Sequence, residues 1–242
     1  MRPSWMSAAL LLALAGWAAL AWLATHMDSE LASWTMPGDA DWQAGQALAV
    51  LLMWGVMMAA MMLPSALPML RAFVDLSRRR GERARPLAFV AAYLAVWLAF
   101  SAAATGAQWA LQAAGWIDPM ARSTSAPLTA ALLLIAGAYQ FSPLKRLCLA
   151  GCRTPLGFLV GEWRGGVRGA VRMGLRHGVM CLGCCAPLMA LLFVGGVMNL
   201  AWVAALAIAA AIEKMAPQGE RLARWLGLAL LAAGAWQLLR LG

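Results

Sequence analysis

The sequence predicts an all-α protein, a polytopic transmembrane helix bundle of about seven spans, and three observations predict it. Of 242 residues, 63% are hydrophobic and 12% charged, whereas a soluble domain is roughly 45–50% apolar. The apolar residues fall in runs long enough to cross a bilayer, which takes about 20 residues rising about 1.5 Å each. The basic residues, which give a net charge of +9, stand in short blocks between those runs, the pattern left when Lys and Arg fix loops on the cytoplasmic side of a lipid bilayer. That distribution argues against nucleic acid as the partner. No polar stretch is long enough for a soluble domain, so residues 1–242 read as a single integral membrane domain.

In chain order the spans fall at about 7–25, 46–70, 87–114, 128–142, 175–197, 200–216 and 222–239. The first follows Arg2, but its apolar core outruns the ~7–15 residues of a signal peptide and reads as an uncleaved span. Asp28, Glu30, Asp39 and Asp41 then mark 26–45 as an outside loop. Arg71, Arg78, Arg79, Arg80, Arg83 and Arg85 mark 71–86 as a cytoplasmic basic loop, and Asp118 lies outside again. Lys145, Arg146, Arg153, Arg164, Arg168, Arg172 and Arg176 define the second basic loop, 143–174 and its border, and Lys214, Arg221 and Arg224 a third. Seven spans place the N-terminus inside, the C-terminus outside and every basic residue but Arg122 and Arg240 in the cytoplasm. Within 156–174, apolar and basic residues mix as in an interfacial helix, although Gly161, Gly165, Gly166 and Gly169 weaken that reading. Pro64, Pro68, Gly174, Gly178 and Gly183 are places for helices to bend or approach closely.

The fifth span carries the chemistry. His177, Cys181, Cys184 and Cys185 follow at i, i+4, i+7 and i+8, which puts an imidazole and three thiols on one helix face. An odd total of five cysteines, all in the cytoplasmic half or near it, does not fit a disulfide framework and favours free or metal-bound thiols. The second span adds Met53, Met57 and Met61 at four-residue spacing, with Met58 and Met62 adjoining. Such a stripe alone is ordinary core. Counted from the basic boundaries, however, Met61 and Cys185 reach similar depth and can meet at mid-membrane. Thioether and thiolate are soft donors, which favour Cu(I) over Zn(II) and exclude Mg or Ca. Cys148 and Cys152, four apart after the fourth span, form a further pair on the cytoplasmic side, while His26, Met27, Asp28 and Met36 stand near the outer mouth. Glu213 and Lys214 read as groups that snorkel or pair at the interface, and Gln140 and Asn199 as helix-to-helix hydrogen-bonding residues.

The stretches WGVMMAAMMLP (54–64), YQFSPLKRLCLAGCR (139–153), HGVMCLGCC (177–185) and GVMNL with the later EK at 213–214 resemble a bacterial family of predicted metal-binding integral membrane proteins, over about residues 45–240. The resemblance implies a bacterial cytoplasmic membrane and a metal, not a mechanism, and marks Trp54, Met57, Met61, Cys148, Cys152, His177, Cys181, Cys184 and Cys185. Ala186 departs from it, standing where relatives carry an aromatic residue. Two functions follow. One is binding of a soft metal ion, Cu(I) first, in transport, delivery or homeostasis through Met, Cys and His sites, with a metal-delivery protein as partner. The other is a membrane thiol-disulfide oxidoreductase using Cys181 and Cys184, which leaves the Met stripe unexplained. An accessory subunit whose sulfurs only pack is the third reading. The chain has no phosphate-binding loop, nucleophile elbow or zincin helix. Nothing in the sequence sets its oligomeric state.

Overall fold

The structure is a computed structural model that describes residues 5–81 and 85–240; Arg2 and Arg83 of the basic pattern lie outside the described residues. These form helices α1 (Trp5–Thr25), α2 (Glu30–Thr35), α3 (Ala44–Arg79), α4 (Pro86–Ala113), α5 (Ala126–Tyr139), α6 (Pro143–Arg153), α7 (Pro155–Glu162), α8 (Gly166–Ala190), α9 (Leu192–Gly195), α10 (Leu200–Met215) and α11 (Gly219–Leu239). Five stretches are long and apolar enough to cross a membrane: Met6–Thr25, Ala44–Arg79, Pro86–Ala113, Gly166–Gly195 and Gly219–Leu239. A sixth is reached if α5 and α6 count as one span, but they are bent by 64° at the break between them.

The sixth span read from the sequence, 200–216, is α10, whose 16 residues rise only about 24 Å against a hydrocarbon core of about 30 Å. Its end is set locally. Ala216 adopts ψ 143, the extended conformation imposed on a residue that precedes proline, here Pro217. The bend between α5 and α6 also has a local cause: Ser142 caps α6 by accepting from Lys145 N–H, and Pro143 opens the helix, so a new axis starts there. The mixed segment 156–174 is likewise not one interfacial helix. α7 ends at Glu162, and α8 starts after Gly165, with Gly166 at φ +71.

Two close helix contacts hold the bundle. α4 and α8 run parallel: Gly174 lies against the Phe89 carbonyl and Gly178 against Val96 and the Tyr93 carbonyl, so near that a Cβ at Gly174 would stand 2.3 Å from the Phe89 oxygen. Small residues allow such backbone approach, which is how membrane helices gain dispersion energy without a hydrophobic driving force between them. This parallel packing puts the basic start of α8 at the same end as the 71–85 loop. α5 and α11 run antiparallel, Gly137 lying against Leu231 and Gly227, and Gly234 against Leu134.

α3 threads the middle of the molecule, with Trp54, Met57, Met58, Ala60 and Met62 fully buried. Pro64 and Pro68 sit inside it without ending it. Between the tails of these helices the 26–45 segment is ordered, folding α2 against α3 and tying its backbone to α4, where Gln112 donates to the Pro37 carbonyl (2.7 Å) and Trp109 to that of Ala40 (2.9 Å).

Candidate metal centre

Helical spacing puts Cys181 and Cys185 on the same face of α8 as Gly174 and Gly178, which pack against α4. Cys181, Cys184 and Cys185 are all buried. Cys184 and Cys185 each donate S–H back to the Cys181 carbonyl, at 3.1 and 2.8 Å. Pro187 lacks the N–H that would bond the Gly183 carbonyl one turn earlier, and the Tyr139 hydroxyl donates to that oxygen instead. A proline beside the thiols is thereby tolerated, and α5 is fixed to α8 at their level.

Because α6 folds back at the 64° bend, its cysteines do not lie free on the cytoplasmic surface. Both are half-buried. Cys152 Sγ is 4.0 Å from Cys184 Sγ, which is 3.8 Å from Cys185 Sγ, which in turn donates to Met62 Sδ at 4.0 Å. Cys148 packs its sulfur against Gly183, in the space a side chain there would fill. The expected meeting of the α3 methionines with the thiols thus occurs through Met62. Met57 and Met61 are buried in the same core, but among the described residues the sulfur contact from α3 to the thiols is that of Met62, one position and about 100° further round the helix than Met61.

His177 stands one turn before Cys181, inside an aromatic nest: its ring lies 5.5 Å from that of Tyr93, 6.0 Å from Phe89 and 5.9 Å from Phe158. Its buried Nδ1 has no hydrogen-bond partner. Tyr93 links it to the thiols, for the Tyr93 hydroxyl is 3.1 Å from Cys181 Sγ and also donates to the Met62 carbonyl at 3.3 Å. Neither Tyr93 nor Met62 stands out in the sequence as a partner of the thiols; the only signal for Met62 was its place beside the stripe.

The largest departure from the sequence reading concerns Glu213 and Lys214, which do not snorkel. Both are buried, pointing in different directions from the last turn of α10. Glu213 pairs with buried Lys145 at 2.6 Å and accepts from Gln140 at 2.9 Å. Lys214 Nζ enters the sulfur group, 3.1 Å from Cys181 Sγ, 3.2 Å from Ser65 Oγ and 3.6 Å from Met62 Sδ. A buried ammonium requires a compensating negative charge or strong acceptors, and a thiol that becomes thiolate supplies one. The physical reason for the departure is the short α10, whose last turn buries both side chains inside the bundle. Gln140 does bond between helices, whereas Asn199 caps α10 by accepting from Trp202 N–H (3.2 Å).

Among the described residues, no group of three or more His, Cys, Asp or Glu side chains stands ready to hold a metal ion. The sulfurs form an open series that a thioether completes. A metal–thiolate bond is about 2.3 Å long, so two sulfurs that share one ion stand about 3.8–4.0 Å apart, a distance that each successive pair matches, Cys152 with Cys184, Cys184 with Cys185 and Cys185 with Met62. At the end of the bundle away from the basic segments, His26 is engaged locally, its Nδ1 lying 2.9 Å from the Trp22 carbonyl and its ring stacked on that of Trp22. Met36 is buried and Met27 exposed, so the four mouth residues do not form one group.

No curated protein and no solved structure matches this chain significantly. A family model does: the family described as PpoB2, copper chaperone, matches residues 51–237. The match covers more than three quarters of the chain and every sulfur donor of the buried group, and it gives the metal-binding resemblance of the sequence a named metal. The chain belongs to that family.

Proposed function

From membership of a copper chaperone family as the premise, we propose that this protein is a membrane-embedded Cu(I) carrier that takes the ion on Cys152, Cys184, Cys185 and Met62 and passes it to a metal-delivery partner by ligand exchange. The observation that carries the reading is a row of four sulfurs from three helices, each 3.8–4.0 Å from the next. Thiolate and thioether together suit Cu(I), which accepts two or three soft donors. Structural Zn(II) asks for a closed tetrahedral set, and the open series lacks one. Each thiol that binds gives up its proton. Cys181 and its neighbour Lys214 serve the site electrostatically: the ammonium offsets the negative charge that several thiolates around a single Cu(I) accumulate in a low-dielectric interior.

Transfer needs sites that bind strongly enough to receive and weakly enough to release. An open series meets that need, since an incoming donor adds to a two- or three-coordinate ion before another leaves. Cys148, half-buried beside Gly183, is a further sulfur next to the group, and the buried methionines of α3 continue toward the end away from the basic loops. His177, closed in by aromatic rings, supports the helix face through Tyr93 and is a ligand only if its ring turns. The oxidoreductase reading is disfavoured by burial: exchange with a partner disulfide requires an accessible attacking sulfur, and Cys181 and Cys184 are almost fully enclosed.

The direct test is Cu(I) and Zn(II) stoichiometry on reduced, purified protein. The variant with Cys181, Cys184 and Cys185 all changed to Ser is expected to lose Cu(I) binding. Unchanged stoichiometry in that variant overturns the reading.

A further inference from the structure

We propose that a cavity at the end of the bundle opposite the basic loops, lined by Met27, Met120 and Met198, is a second and weaker site for a soft monovalent cation. The cavity has a volume of about 280 Å³, and Arg122 and Asn199 share its wall. That Cu(I) is its natural cargo rests on the function proposed above; the site itself rests on geometry separate from the thiol group.

Three distant segments build it. Met27 follows the last turn of α1. Met120 sits on a turn that Asp118 ties by accepting from the N–H groups of both Met120 and Arg122, each at 2.9 Å. Met198 lies between α9 and α10, and this link is fastened to the Met120 turn twice: Val197 N–H donates to the Met120 carbonyl at 3.0 Å and Ser123 N–H to the Phe193 carbonyl at 2.7 Å. Gly196, at φ +85, makes the approach possible, because a Cβ there would crowd Arg122 and strain the backbone. The segments that carry Met120 and Met198 are therefore held together by backbone bonds.

The donors define the ligand. Among the described residues, three methionines and no acidic residue line the space, a donor set that suits Cu(I) or Ag(I) and offers little to Mg, Ca or Zn(II). Thioethers are neutral and lose no proton on binding, so the ion keeps its full charge. The Arg122 guanidinium opposes it, although solvent at this exposed end screens the repulsion. Both features make the site weaker than the thiol group, as an entrance or exit must be. From Gly195 at the cavity to Cys185 is ten residues, on the order of 15 Å of helix. Buried Met53, Met57, Met58 and Met61 on α3 and Met189 on α8 occupy the intervening core.

The test separates this site from the thiols. Full-length protein with all five cysteines changed to Ser, in lipid nanodiscs, is titrated with Ag(I). It is expected to retain one weak equivalent, which M27L/M120L/M198L on that background removes. No binding to the cysteine-free protein, or binding indifferent to the three Leu changes, overturns the proposal. Unaltered protein provides a second measurement that needs no variant to fold. With Ag(I) beyond the capacity of the thiols, peroxide oxidation of Met27, Met120 and Met198, read by mass spectrometry, is expected to slow several-fold. Met215, 57% exposed outside the cavity, is expected to oxidise at its usual rate. Equal rates at the three methionines with and without Ag(I) overturn the proposal. A wild-type protein that takes no Cu(I) on its thiols but protects these three residues would instead remove the carrier function and leave this site standing.

Discussion

A single methionine separates the Cu(I) reading from thiol exchange chemistry. Met62 Sδ touches both Cys185 and the Lys214 ammonium, yet a thioether forms no disulfide and attacks none. Met62→Leu conserves volume and apolarity and is expected to cost less than about 1.5 kcal/mol of stability. It removes one soft donor, so Cu(I) affinity should fall about tenfold, equivalent to about 1.4 kcal/mol, in a competition titration against a chromophoric chelator. Undiminished affinity would take Met62 out of the site. Met57→Leu with Met61→Leu tests the path instead: affinity at the thiols should persist while copper delivery in cells falls, because those two residues lie along the core without reaching the thiols. The Lys145 and Glu213 pair is a stability device of the same scale. Both partners are buried, so Glu213→Gln leaves an uncompensated ammonium and is expected to cost about 3–5 kcal/mol, whereas replacing both partners by Met and Leu should recover most of it. Thermal unfolding in detergent reads the difference; equal losses in the two variants would mean that the pair is not coupled.

At the scale of the element, the sulfur group depends on how helices end and bend. Pro187 frees the Gly183 carbonyl, and the Tyr139 hydroxyl answers it. Tyr139→Phe is expected to cost about 1–3 kcal/mol by leaving that oxygen without a donor. In a Pro187→Ala background the helix regains its own N–H, so the same change should cost much less. A double-mutant cycle by thermal unfolding measures the coupling, and additive effects would refute the link. α6 offers the second case. Cys-x-x-x-Cys at 148–152 reads from sequence as a loose cytoplasmic pair, but the bend at Gln140–Ser142 carries Cys152 to within 4.0 Å of Cys184. Periodicity gives no sign of a bend angle, since Ser142 and Pro143 announce that a helix starts and not where it points.

For the whole molecule, the proposed orientation is a cytoplasmic basic end carrying the 71–86 and 143–174 segments, read from the sequence as loops but largely helical in α3, α6, α7 and α8, in agreement with the positive-inside rule. Parallel packing of α4 and α8 places the starts of both at that end, and α3 enters the loop from the same side. Arg78 is exposed on the final turns of α3. A cysteine placed there is expected to resist a membrane-impermeant maleimide on intact spheroplasts and to react once they are broken. Labelling from outside would reverse the topology, and with it the assignment of Met27, Met120 and Met198 to the outer mouth.

Composition and periodicity by themselves determined that this chain is helical, apolar enough for a bilayer and soft in its donors, because burial in lipid forces backbone hydrogen bonds into helices and helical spacing alone aligns Cys181, Cys184 and Cys185 with His177. Only the tertiary structure decided which donors meet. Met62 rather than Met61 faces the thiols because the rotation of α3 about its axis is set by packing against α4 and α1, a quantity a local pattern does not carry. Lys214 enters the sulfurs because α10 stops short inside the bundle, and Met120 and Met198 come to one cavity beside Met27 because backbone bonds join segments seventy or more residues apart in sequence. Such contacts depend on the relative placement of rigid helices, and each helix sequence records its own face but not its neighbour's.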